Sequence, residues 1–252
     1  MRGLILAAVT IGTLAPAAAR AEPGLANEVY GAGVTRGETE VEGRAGLLTG
    51  GAADGEWAFV GEVAHAFTDW WRPAALFEVE REAGGKTRLD SVAIENVFDF
   101  TATRAWPVHL GAYAEYEVST RGAADKVELK LLAERVRGPL GLRLNLIGDR
   151  RVGDGASDDW EYGYAARGVW AFNDDFALGV EGFGDAGTDT DFGRFGDHAQ
   201  YWGPIAQVEA FETRAGELEV QLGYLFGSGE AEADGQFRVR VEWERQARRA
   251  RQ

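Results

Sequence analysis

The chain of 252 residues contains no cysteine and a single methionine. Disulfide frameworks, thiolate nucleophiles and soft-metal sulfur sites are therefore excluded. Histidine is scarce too, at three residues, which leaves little for general-base catalysis or imidazole ligation. Bases are outnumbered, with 26 Lys+Arg against 41 Asp+Glu and a net charge of −15. So acidic a chain lacks the cationic surface that a phosphate backbone requires, and nucleic acid is excluded as a partner. Beyond the N-terminus no stretch approaches about 18 consecutive apolar residues, so no transmembrane helix is expected. What is present is 45% hydrophobic and 11% aromatic residues, too many for a disordered chain. The 35 glycines and eight tryptophans suit β structure better than helix. None of these glycines follows a strand and opens a helix, as a phosphate cradle would need, and no cofactor is expected.

Residues 1–21 read as a secretory signal peptide. Arg2 supplies a positive start, Leu4 to Leu14 form a short apolar run, and Pro16 ends it. Ala19-Arg20-Ala21 offers a small-x-small cleavage site, with cleavage after Ala19 as the alternative. Removal of the leader takes away Arg2 and Arg20 and no acid, so the charge deepens to −17 on this reading, from −15. The absence of cysteine at that point excludes a lipoprotein anchor.

Beyond the leader the hydropathy pattern has period two. Lys126-Val127-Glu128-Leu129-Lys130-Leu131 alternates, as do Phe237 to Trp243, Phe77 to Glu80 and Glu217 to Leu222. About twelve such runs of roughly 8–13 residues can be placed, the length of tilted membrane-spanning strands. They lie near 38–48, 56–67, 70–82, 87–100, 106–118, 126–137, 140–150, 160–172, 176–185, 201–211, 216–227 and 236–245. This predicts a β-domain over 38–245, preceded by an N-terminal periplasmic segment at 22–37, for which folding inward as a plug stays open, and followed by a basic tail at 246–252.

Two further patterns are independent of the alternation. Connections after the even-numbered runs are short, such as Thr68-Asp69 and Gly138-Pro139, whereas Arg151 to Asp159 and Ala186 to Gln200 are long and rich in Gly and Asp. The tryptophans fall at run ends: Trp70, Trp71, Trp106, Trp170 and Trp243 at the short-turn rim, and Trp57, Trp160 and Trp202 at the long-loop rim. Two aromatic girdles are what lipid–water interfaces favour. Taken together, leader, strands, sorted loops and girdles resemble a Gram-negative outer-membrane β-barrel, similar in layout to small twelve-stranded porins and channels. The resemblance implies an all-β, closed, antiparallel, up-and-down barrel of about twelve strands, monomeric, in the outer membrane with both termini periplasmic. It implies partners in outer-membrane lipid, lipopolysaccharide, periplasmic chaperones and the barrel-insertion machinery. Such barrels usually end on an aromatic residue; here Trp243 is followed by a tail carrying Arg245, Arg248, Arg249 and Arg251.

Alternation assigns one face of each strand to lipid, including Val127, Leu129, Leu131, Leu142, Leu144, Leu218, Val220, Leu222, Val239 and Val241. The other face is expected to line the lumen. It carries Glu40, Glu42, Glu62, Glu78, Glu80, Glu95, Glu115, Glu117, Glu128, Glu134, Glu181, Glu209, Glu217, Glu219 and Glu242, against Arg44, Lys126, Lys130, Arg143, Arg167, Arg238 and Arg240. Charge in contact with lipid costs about 2–4 kcal/mol at the bilayer midplane for Arg or Lys, which sends this face inward. Two interiors satisfy the pattern. One is a hydrated acidic pore that favours small cationic or neutral solutes by passive diffusion. The other is a narrow interior filled by Glu–Arg and Glu–Lys networks, as in a structural or adhesion barrel acting through its long loops.

A catalytic barrel is the third reading, and no enzyme is expected. Ser91 and Ser119 have no evident histidine partner, and His65 and His109 fall near the short-turn rim. A rim hydrolase would have to join His198 to Asp185, Asp189, Asp191 or Asp197. Those aspartates, with Asp154, Asp158 and Asp159, match no calcium-loop spacing, and no dedicated metal site is expected. A soluble periplasmic β-sandwich would also accommodate the strand pattern.

Overall fold

The computed structural model describes residues 25–102, 106–194, 196–213 and 216–245. The expected leader at 1–21 and basic tail at 246–252 lie outside the described residues. The strands are β1 (Thr39–Thr49), β2 (Trp57–His65), β3 (Trp71–Arg81), β4 (Arg88–Asp99), β5 (His109–Ser119) and β6 (Asp125–Arg137). They continue as β7 (Leu140–Val152), β8 (Glu161–Ala171), β9 (Phe176–Thr188), β10 (Gln200–Thr213), β11 (Gly216–Ser228) and β12 (Gly235–Arg245). Each pairs antiparallel with its sequence neighbours, and β1 pairs with β12 from Thr39↔Arg245 to Thr49↔Gly235, closing the barrel. A closed barrel leaves no sheet edge and satisfies every ladder hydrogen bond within the wall, the condition for crossing hydrocarbon.

Burial is inverted relative to a soluble protein. On β4, Ile94 is 62% exposed while its neighbour Glu95 is 0% exposed. Val63, Leu131, Leu146 and Val180 are likewise exposed, whereas Glu62, Asn145 and Glu181 are buried. Such a wall is apolar outside and polar inside, and its outer face is stable only against lipid. A sandwich would bury these apolar residues between two sheets; the single closed sheet corrects that alternative.

The short turns of the sequence pattern occupy one rim, at 66–70, 138–139 and 172–175, while 153–160, 189–199 and 229–234 connect strands at the other. The connection after β4 departs from expectation, spanning 100–108 because β5 starts at His109 and not near 106. Trp106-Pro107 explains the late start, since proline has no N–H to give to the ladder. Trp106 thus precedes its strand, as Trp70 and Trp160 do by one residue; Trp57, Trp71, Trp170, Trp202 and Trp243 lie at or within three residues of strand ends.

The segment before β1 follows the inward course that the sequence leaves open. Its described part, 25–37, does not extend from the rim as a periplasmic segment but runs inside the barrel, with Ala26, Glu28, Val29, Tyr30, Ala32 and Val34 all buried. Each of the three apolar clusters of the interior contains residues from it. Val29 packs with Leu48, Phe183, Tyr201 and Leu225; Tyr30 and Ala32 pack with Val97, Tyr113 and Leu132; Ala26 packs with Ala58 and Val60. Gly46 on β1 makes room for it: a Cβ there would stand 2.7 Å from Leu25 Cδ1 and 2.9 Å from Ala26 N. The lumen is therefore not lined by polar residues alone, because inward apolar side chains gain a partner in this segment.

Candidate functional site

The charged side chains of the interior form several ion-paired groups about the buried segment. Arg44 on β1 reaches Glu42 at 2.6 Å, Glu62 at 2.8 Å and Glu28 at 3.4 Å through one nitrogen, Nη1. Arg240 on β12 meets Glu219 at 2.5 Å, Glu242 at 2.8 Å, Glu42 at 3.2 Å and Glu28 at 3.3 Å. Arg72 on β3 pairs with Glu40, and Glu181 lies 3.3 Å from Arg238 and 4.0 Å from Arg167. Across the barrel, Lys130 meets Glu128 at 2.9 Å, Lys126 meets Glu117 at 2.7 Å and Arg143 meets Glu134 at 2.8 Å. Glu95 accepts a hydrogen bond from Tyr30 Oη at 2.8 Å, and Glu115 one from Tyr113 Oη at 2.6 Å.

The remaining residues expected at the lumen are less enclosed. Glu78 and Glu209 are half-buried, and Glu217 lines the cavity described below. Glu80 sits at the long-loop end, where Arg121 gathers Glu80, Glu82 and Asp90. The hydrogen bond from Arg121 holds the exposed Glu82 carboxyl below its usual range and raises the guanidinium in turn.

The wall also grips the main chain of the segment. Arg44 Nε donates to Ala26 O at 2.8 Å, Arg238 Nη2 to Asn27 O, and Arg167 Nη2 to Val29 O at 3.2 Å. Asn145 is bidentate on Tyr30, accepting from its N–H at 2.8 Å and donating to its carbonyl at 3.0 Å, as a neighbouring strand would. Ala32 N donates to Glu134 Oε2 at 3.1 Å. The Tyr30 ring lies 4.6 Å from that of Tyr113, with Lys130 Nζ 4.4 Å from one ring and 4.3 Å from the other. This cation over two rings fixes the ring and not only its hydroxyl. Ala26 has a left-handed φ of 55°, held by the bond from Arg44 to its carbonyl.

Below the segment, at the short-turn end, lies a cavity of about 500 Å³. Eight glutamates line it, among them Glu38, Glu217 and Glu244, against four arginines: Arg72, Arg143, Arg167 and Arg240. Burial and the neighbouring Glu244 and Glu242 carboxylates push Glu38, just before β1, up to about 7 against the pull of Arg72.

Two groups of carboxylates converge closely enough to suggest cation binding. The oxygens of Glu28, Glu42 and Glu62, and those of Glu40, Glu42 and Glu242, lie within 4.8 Å of one another. Arg44 already bridges the first group, Arg240 joins Glu42 to Glu242 in the second, and Arg72 holds Glu40. A divalent ion would have to displace guanidinium groups from both. At the long-loop rim His198 is buried and approaches Glu230 at 3.9 Å. Among the described residues neither ring nitrogen has a hydrogen-bond partner, and none of Asp185, Asp189, Asp191 and Asp197 orients it as a hydrolase would require.

Sequence reasoning missed Glu28, Tyr30, Arg72, Asn145 and Gln221 as interior residues. Asn145 and Gln221 do carry a signal, being the polar members of the alternating runs Leu142 to Leu146 and Val220 to Leu222. Arg72 stands between Trp71 and Pro73 and reads as rim, and nothing in residues 25–37 marks a partner in the wall.

No protein-family model matches the chain, and no curated protein matches it. In fold it is similar to the crystal structure of the COG4313 outer membrane channel from Pseudomonas putida F1. The TM-score is 0.59 at 14% identity, over 90% of this chain and 99% of that one. It is also similar to the KdgM porin, with a TM-score of 0.55 at 11% identity over 81% of this chain and 98% of the other. At such identities the likeness is one of architecture: this chain has the fold of the Gram-negative outer-membrane β-barrels.

Proposed function

We propose that the chain is an outer-membrane channel for passive diffusion of small cationic or neutral solutes. The observation that carries the preference for cations is the cavity at the short-turn end, where eight glutamates outnumber four arginines. Excess carboxylate in a confined, hydrated space concentrates cations and repels anions. Support for a channel comes from the fold neighbours, one a channel and one a porin. On this reading the leader at 1–21 directs export, Trp243 at the end of β12 serves insertion, and the girdle tryptophans meet lipid and lipopolysaccharide. Residues 25–37 then hold the described structure closed, and conduction follows their displacement.

A second reading has its own observation. The ion pairs and apolar clusters around residues 25–37 are those of a filled interior, which fits a non-conducting structural or adhesion barrel. Recordings in planar bilayers under a potassium chloride gradient separate the two. Discrete steps with a cation-selective reversal potential are expected. Anion selectivity would overturn the solute preference, and silence at all voltages would favour the filled barrel.

A further inference from the structure

Five wall side chains, Arg44, Arg238, Arg167, Asn145 and Glu134, hydrogen-bond six main-chain atoms between Ala26 and Ala32. Those bonds read the course of the main chain, a turn at Leu25-Ala26 followed by an irregular stretch, and not a particular sequence. Side-chain recognition is concentrated at three places: the Glu28 carboxylate between Arg44 and Arg240, Val29 among Leu48, Phe183, Tyr201 and Leu225, and the Tyr30 ring beside Tyr113 and Lys130. Between and around them Ala26, Gly31, Ala32 and Gly33 contribute little beyond small size. The interior is thus a built receptor for a chain with an acid two residues before an aromatic and an apolar residue between them. Its present occupant runs on through residues 34–38 into β1.

We propose that this site accepts a separate peptide: a short, soluble peptide carrying an acid–apolar–aromatic motif replaces residues 25–33 on the same wall groups. The proposal goes beyond the channel reading, because binding does not require conduction. The tethered segment competes as an intramolecular ligand at an effective concentration of about millimolar. A peptide therefore binds well only where the segment is weakened. The wall groups it uses are those already satisfied by main-chain atoms, so no buried donor or acceptor is stranded by the exchange.

The test uses the full chain carrying Glu28→Gln and Tyr30→Ala together, which leaves the wall intact. A fluorescent peptide with the sequence of residues 25–34 is titrated in detergent and followed by anisotropy. Saturable binding at least tenfold tighter than to the wild-type chain is expected, and a peptide with glutamate and tyrosine moved apart should lose at least tenfold. Equal binding of the rearranged peptide, or no saturable binding up to millimolar concentration, overturns the proposal. Should the double variant fail to fold, Ala26→Cys in the otherwise cysteine-free chain provides a second measurement. Millimolar peptide should speed thiol labelling there at least fivefold, and an unchanged rate overturns the proposal. Bilayer silence combined with peptide binding would sink the channel reading alone, and conduction without binding would sink the peptide site alone.

Discussion

Arg44 serves three carboxylates and one carbonyl from a single buried position. Removal of a buried cation leaves its partners as uncompensated charges, which costs more than the pairs contribute when intact. Arg44→Ala is expected to destabilise the barrel by about 3–5 kcal/mol, read as a lower urea midpoint for unfolding from detergent micelles. Replacement by lysine should recover only part of this, because an ammonium does not present the planar fork that reaches Ala26 O and the glutamates together. A midpoint unchanged in Arg44→Ala would mean that water already screens the network.

At the scale of the element, the segment 25–37 behaves as an insert seated by small residues in the wall. Gly46→Val places branched carbons where Leu25 and the Ala26 nitrogen now lie, so the segment must lift while the ladder of β1 stays paired. The expected outcome is several-fold higher single-channel conductance and faster hydrogen exchange of the Tyr30 amide, now bonded to Asn145. Conductance equal to wild type would show that the segment does not obstruct flow. Glu38 sits where this segment joins β1, and its carboxyl is raised from the ordinary 4.5 to about 7. An acid that binds its proton more tightly when folded contributes stability at low pH, and this contribution falls as pH rises from about 4.5 through about 7. Thermal stability should therefore decline from pH 5 to pH 8, and Glu38→Gln should flatten that part of the profile. An identical slope in the variant would assign the dependence to other groups.

For the whole molecule, the outward face decides whether the barrel is a membrane protein. Leu131, at mid-strand on β6, is exposed with its side chain outward. Leu131→Arg should cost about 2–4 kcal/mol in folding into lipid vesicles, followed by urea titration, whereas a water-facing site would tolerate it. The strands themselves were legible from sequence because lipid outside and polar groups inside impose a strict period of two, visible in Lys126 to Leu131 and Glu217 to Leu222. The interior was legible only in part. Phe183 and Val97 face inward against the rule because Val29 and the rings near Tyr30 cover them. Those contacts join residues far apart in sequence, Asn145 to Tyr30 and Arg240 to Glu28, and no local pattern records them. Short polar stretches such as Ala26-Asn27-Glu28 carry the same local signal whether they hang in water or thread a barrel.

Glu28 bridges Arg44 on β1 and Arg240 on β12, the first and last strands to be synthesised. Arg44 is near Glu28 in the chain and can receive it early, but Arg240 comes into reach only when the ends of the sheet meet. Seating of the segment and closure of the cylinder are thereby coupled in assembly. A half-built barrel has no complete berth for its own N-terminal segment, and a barrel unzipped between its first and last strands loses the Glu28 bridge in the same step.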